Sequence, residues 1–255
     1  MANRSTPTRP RGGLWPALLA GLSILLLAAA TLMMAGSGPA YSWELISLGE
    51  AFNFLRNGVY AAGGAVALSL VALLVSALTR RFKPAVLASL VIMGAAALLY
   101  VPWQHWQRAQ EVPAIHDITT DTQNPPTFEA LADAREAAPN AVDYPGTATA
   151  DQQQAAYPTI EPLVVDAASP RVLAAAQAQV EENGWQIARV SDDRIEATAT
   201  TLWFGFEDDV VIRLTELENG VQVDMRSASR LGASDVGTNA ARIEQFLTAL
   251  EARLE

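Results

Sequence analysis

The 255 residues include no cysteine. That absence excludes disulfides, cysteine nucleophiles, thiolate metal sites and iron–sulfur clusters, and it suits an oxidising compartment. Histidine is nearly as scarce, with only His105 and His116. A zinc site would have to be completed by carboxylates, an uncommon set, so neither a metal nor another cofactor is expected. A third absence is charge: Leu14 to Ala35, Gly58 to Leu78 and Pro84 to Val101 contain no Asp, Glu, Lys, Arg or His. Ion pathways and substrate sites inside bilayers are marked by such groups, so these runs read as an anchor or an assembly module rather than a transporter or channel. Finally, the C-terminal part has no basic stripe. Residues 1–107 carry seven cationic side chains against two acids, a net +5, whereas residues 108–255 carry ten arginines against 25 acids, a net −15. An acidic surface of that kind excludes nucleic acid as a partner and opposes lying flat on an anionic bilayer.

What is present organises the chain into a membrane part and a soluble part. The first apolar run covers roughly 33 Å as a helix, enough for a hydrocarbon core of about 30 Å. The third begins at Pro84, suited to a first helical turn, and is followed by Tyr100, Trp103 and Trp106, an interfacial aromatic belt. Three spans are therefore expected, at about 14–35, 58–78 and 84–101, between a tail at 1–13 and a C-terminal domain. The tail carries Arg4, Arg9 and Arg11, and the loop between the second and third spans carries Arg80, Arg81 and Lys83. The positive-inside rule places both in the cytoplasm and residues 102–255 outside it. A cleaved signal peptide fits less well, since the run is too long and no A-x-A site follows. Leu45, Leu48, Phe52 and Leu55 recur at helical spacing, which predicts either a short interfacial helix or a loop resting on the spans.

Residues 102–158 are rich in proline and read as an extended connection, with one short helix in FEALADAREAA. From 159 to 255 the pattern is α+β. Strands are predicted at Ile160–Val165, Trp185–Val190, Ile195–Thr201 (half-buried by its alternation), Asp209–Leu217 and Val221–Ser229. Asn219-Gly220 forms a tight hairpin between the last two. Helices are predicted from Ser169-Pro170 to Asn183-Gly184, with Ser169 as N-cap, and over Val236–Leu254, with Ala240, Ile243, Leu247, Leu250 and Leu254 as its apolar stripe. The fold class that follows is a three-helix transmembrane region plus an α+β soluble domain, its antiparallel sheet covered by two helices.

Several stretches together resemble one family: HDITTD at His116–Asp121, NPP at Asn124–Pro126, Gly184-Trp185, RIEATA at Arg194–Ala199, FGFEDDVVIRL at Phe204–Leu214, and VDMRSASRLGASDVGTNAARI at Val223–Ile243. The chain resembles the bacterial family catalogued as domain of unknown function 1499 over residues 115–250. The resemblance implies an α+β domain, often membrane-attached, in bacterial envelopes, and it implies no activity.

The longest of these motifs holds the first candidate site. Two arginines near a helix N-terminus suit a carboxylate or phosphate, so Arg226, Ser227, Ser229, Arg230, Asp235 and Asn239 are candidates for an anionic ligand. The structural alternative pairs Arg226 and Arg230 with Asp224, Asp208, Asp209 or Glu196 and has Ser234 or Asp235 cap the helix. His116, Asp117 and Asp121 are candidate ligands or an acid–base set, against a reading in which the aspartates satisfy turn amides. A triad through Ser227 or Ser229 lacks a nucleophile elbow. Glu207-Asp208-Asp209 lacks the spacing of a calcium loop and reads as a solvated turn. The expectation is a membrane-anchored envelope protein whose outer domain binds a partner protein or small anionic ligand. The alternatives are a tethered hydrolase-like enzyme and a subunit of a larger membrane complex.

Overall fold

A computed structural model describes residues 13–255. The arginine-bearing tail before Gly13 lies outside the described residues. The chain divides into two compact units, one ending at Gln104 and one starting at His105.

The first unit is built from α1 (Trp15–Ser42), α2 (Leu48–Thr79) and most of α3 (Phe82–Glu111). All three are long and apolar enough to cross a membrane, as the helices of an integral membrane protein are. Each outruns its predicted span, because the polar residues that flank an apolar run still propagate a helix. The separate interfacial helix expected between the first two spans does not exist. Ser47 and Glu50 form a capping box that starts α2 at Leu48, so residues 48–57 are its first turns. The buried side of α2 runs Gly58, Ala62, Ala65, Ser69, Ala72, Ser76, and that of α1 includes Ala20, Ser23, Ala30, Met34 and Ser37. These positions alternate four and three apart, the spacing of a left-handed coiled seam, here filled with small residues that let backbones approach. A Cβ added at Gly58 would lie 2.3 Å from Met34 Cγ. Gly64 and Gly94 face Leu26 and Leu27 of α1, whereas Gly63 and Ala67 face outward.

The second unit holds a six-stranded antiparallel sheet: β1 (Asp117–Thr119), β2 (Leu163–Val165), β3 (Gln186–Ser191), β4 (Arg194–Thr200), β5 (Glu207–Leu217) and β6 (Gly220–Ser229). The order is β1-β6-β5-β4-β3, and β2 also pairs with β6, beside Val221–Val223. Asn219-Gly220 makes the hairpin as predicted, with Gly220 at φ 118°. One sheet face packs on α6 (Ser169–Glu182) and α7 (Thr238–Leu254). Val172, Ala176 and Val180 from α6 and Ala240, Ile243, Phe246 and Leu250 from α7 meet Ile118, Ile195, Val210, Ile212, Val223 and Met225. Trp185 stacks on Phe246 at 5.5 Å. Ser169 is the first helical residue of α6 rather than its cap, which is Ala168.

The opposite sheet face departs most from the sequence reading. Segment 120–145, expected to be an extended connection with one short helix, forms that helix as α4 (Ala132–Glu136) and folds over the face through Phe128, Leu131 and α4. Strand β4 is therefore buried on both sides rather than half-buried. Residues 147–156, also expected to be extended, form α5 (Thr147–Ala156). Its Gln153 is buried, accepts from Thr119 N at 3.0 Å and donates to Thr119 O at 2.6 Å. One side-chain amide thus stands in for the next strand and satisfies the edge of β1.

Candidate functional site

Strand β6 carries the residues singled out by sequence, and its alternation sends them to opposite faces. Arg226 faces segment 120–145. Its guanidinium binds Asp117 in a two-pronged pair, Nε to Oδ1 at 2.9 Å and Nη2 to Oδ2 at 2.7 Å. It also donates to the carbonyls of Pro126 and Val142, and it lies over the rings of Phe128 and Tyr144. Both members of the pair are about 2% exposed or less. Removing a guanidinium and a carboxylate from water is tolerable only with this degree of pairing.

The neighbouring arginines are also paired, although Arg135 keeps its Nε buried without a hydrogen-bond partner. Arg135 of α4 is fully buried and binds Asp209 and the Ala228 carbonyl. Burial pushes its guanidinium below the ordinary value, with Asp209 the main force the other way. Arg230 binds both Asp209 oxygens, Glu207 and Thr198, and hydrogen bonding to Asp209 holds its charge more firmly than usual. Glu196 accepts from three successive backbone N–H groups, Glu129, Ala130 and Leu131, at 3.0–3.1 Å. It anchors the turn that leads into α4. Tyr144 is pushed up to about 12, by burial first and by Asp117 second.

The other face of β6 presents Ser227 and Ser229 to α7. Asn239, fully buried, is the hub there. Its Oδ1 accepts from Ser227 Oγ at 2.7 Å and from Arg242, and its Nδ2 donates to the His116 carbonyl and to Ser229 Oγ. Arg242 donates to Asp208 at 2.6 Å. Asp235 accepts from Gly237 N and Asn239 N, so it satisfies an amide in the first turn of α7, whose N-cap position is Gly237 rather than Ser234 or Asp235. Burial raises its carboxyl above the ordinary value, against the pull of those two amides.

The structure therefore brings Ser227, Ser229, Asp235 and Asn239 together on one face, and Arg226 with Asp117 on the other. Arg230 stands with Asp209. Asp121 stands elsewhere: it pairs with Arg213 and accepts from the Gln123 and Asn124 amides. Of the partners foreseen for Arg226 and Arg230, only Asp209 is one; Asp224 and Asp208 hold Arg213 and Arg242 instead. Glu207, Asp208 and Asp209 are not in a turn. They open β5 and each meets an arginine. Among the described residues, no group of three His, Asp or Glu side chains is placed to hold a metal.

The His116 ring lies apart from all of this, in a cleft of about 530 Å³ lined by Ala114, Ile115, His116, Asn140, Pro145, Thr149, Gln152, Gly232 and Ala233. Its Nδ1 is buried and hydrogen-bonds to no described residue. Asn140 shapes one wall by donating to the Ser229 and Gly232 carbonyls. The cleft is lined by the His116 imidazole, two side-chain amides and a hydroxyl, and no lining side chain is an acid, lysine or arginine. Asn140, Thr149 and Gln152 were not singled out by sequence, because they come together only once residues 139–152 fold beside His116.

With this geometry established, comparison with known families is informative. The model of the family described as "Protein of unknown function (DUF1499)" matches residues 117–250, slightly more than half of the chain. The chain belongs to that family. The match takes in all six strands, α6, and α7 as far as Leu250, and it excludes the three long helices. A search of the curated proteins finds no match.

If the DUF1499 domain uses Arg226 structurally, Arg226→Ala strands Asp117 and two carbonyls and is expected to cost about 4 kcal/mol. Arg226→Met combined with Asp117→Leu should regain more than half of that loss. Urea unfolding of the detergent-solubilised chain, followed by far-ultraviolet circular dichroism, reads both. A fully folded Arg226→Ala of parental stability would contradict the assignment.

Proposed function

We propose that this protein is a membrane-anchored binding protein of the bacterial plasma membrane. Its DUF1499 domain lies outside the cytoplasm and holds a small, uncharged polar ligand, or the polar end of a partner protein, in the cleft at His116. One observation carries the reading: the domain's cleft gathers His116, Asn140, Thr149 and Gln152 without a charged side chain, while Arg226 and Arg230 are engaged by carboxylates. Its volume falls within the range of small-molecule sites, roughly 300–1,000 Å³. The anionic ligand suggested by the arginine-rich motif finds no free guanidinium there. The domain's net charge of −15 over residues 108–255 also disfavours an anion at longer range.

The enzymatic alternative has less support. A catalytic His116 calls for a carboxylate to orient its ring, and the adjacent Asp117 is fully committed to Arg226. Ser227 and Ser229 are bonded to Asn239. Arg80, Arg81 and Lys83, together with the N-terminal arginines, support the cytoplasmic side in this reading.

Two measurements test the reading. Native mass spectrometry of protein extracted in mild detergent should detect a small neutral adduct that survives in Arg230→Gln and is lost in Thr149→Trp, which fills the cleft. Equal retention by both variants sinks the cleft assignment. A reporter active only outside the cytoplasm should be active when fused after Glu255; activity in the Arg80–Lys83 loop instead reverses the topology.

A further inference from the structure

The walls of the His116 cleft are held with unequal strength. Asn140 is fixed at three points: its backbone N–H donates to the Arg230 carbonyl at 3.1 Å, and its side-chain amide donates to the carbonyls of Ser229 and Gly232. Helix α5, which supplies Thr149 and Gln152 to the lining, is held far more lightly. Of its ten residues only Ala150 and Gln153 are buried. Its apolar footprint is a single methyl group, too little to hold a short helix by burial. Among the described residues no other helix or strand packs along its length. What ties α5 to the sheet is the Gln153 amide, which accepts from Thr119 N at 3.0 Å and donates to Thr119 O at 2.6 Å. One further side-chain bond leaves the helix, from Gln154 to Thr122 Oγ1, and it is exposed to solvent.

The chain on either side of α5 is pinned. Before it, the Val142 carbonyl accepts from Arg226, and the Tyr144 ring lies under the same guanidinium. After it, Tyr157 and Ile160 pack on the core of the domain. Between the first pin and the helix stands Gly146, at φ 90° and ψ −160°, a conformation open essentially to glycine alone. An added Cβ there would meet nothing within 4 Å, so the hinge is not packed in. The segment is thus a strap fixed at its two ends and latched in its middle. Latch and lining also share a side of the helix. Thr149, Gln152 and Gln153 stand at i, i+3 and i+4, so release of Gln153 carries both lining residues away together. The Thr119 N–H and carbonyl it leaves lie on the outer edge of β1, where water can take them up.

We infer that α5 is a lid on the His116 cleft, opening as one unit when Gln153 releases Thr119. Its purpose rests on the reading of the cleft as a binding site, but its test needs no ligand, so the two fail separately. Amide hydrogen exchange of the full chain in mild detergent, read residue by residue by NMR, follows the opening. The Thr119 amide should exchange at the rate of the hydrogen-bonded amides of α5. Both should be on the order of 100-fold faster than the adjacent Thr120 amide, which is bound to the Met225 carbonyl at 2.9 Å. Gln153→Ala should speed exchange in α5 by on the order of tenfold. It should leave Thr120, β5 and α7 unchanged, which also shows that the variant is folded. Gly146→Ala, strained in the closed backbone, should speed α5 as well. Access is read by carbethoxylation with diethyl pyrocarbonate, for which His105 and His116 are the two imidazoles of the chain. In Gln153→Ala the rate at His116 should rise several-fold while that at His105 stays constant. Exchange at Thr119 as slow as at Thr120, or an unchanged α5 in both variants, overturns the lid. So does a faster α5 that leaves the reactivity of His116 where it was.

Discussion

The buried pair of Asp117 and Arg226 is the constraint around which the domain is built. Two ions taken from water are destabilising unless each hydrogen-bonding direction is answered. Here the answer comes from five groups: a carboxylate on β1, the carbonyls of Pro126 and Val142, and the rings of Phe128 and Tyr144. Satisfying one guanidinium therefore requires β1 to lie beside β6 and segment 120–145 to close over the sheet. The same closure buries Glu196, whose carboxylate then holds the turn before α4. It also buries Arg135 against Asp209. What the sheet hides on this side is a layer of matched charge, whereas α6 and α7 cover a mainly apolar face with one polar patch around Asn239.

This arrangement shapes the outer surface as well. Arg135, Arg213, Arg226, Arg230 and Arg242 all point into pairs at least half buried, so the exposed surface keeps acids such as Asp166, Glu181, Asp192, Glu216 and Glu218. The surface is then more acidic than composition alone conveys. One part of it escapes that field: the uncharged cleft at His116, one side of which is lined by Gly232 and Ala233 of the long motif.

What was legible in the sequence was local. The three apolar runs, the Asn219-Gly220 hairpin and the stripe of α7 each declare themselves within a few residues, and β4 declares itself as a strand but not its burial on both faces. The contacts that define the candidate site are not local. Arg226 finds Asp117 from 109 residues away, and Glu196 finds the amides of 129–131 from 65 to 67 away. Strand β1 is only three residues long, too short to show a period. Helix α5 escaped notice because TATADQQQAA has little apolar patterning; it is placed by its capping of Thr119 rather than by an amphipathic face. The capping box of Ser47 and Glu50, a local signal that the reading of this loop left out, starts α2 at Leu48 and makes the expected interfacial helix its first turns.

The central claim is that the arginines of the long β6 motif belong to the fold and not to a ligand. Side-chain nitrogen NMR of the detergent-solubilised protein tests it most directly, following the Nε–H signals of Arg226 and Arg230 during titration with inorganic phosphate and with citrate. The account predicts slowly exchanging Nε–H protons that neither anion shifts. A saturable shift at both arginines would contradict it and restore an anion site to β6.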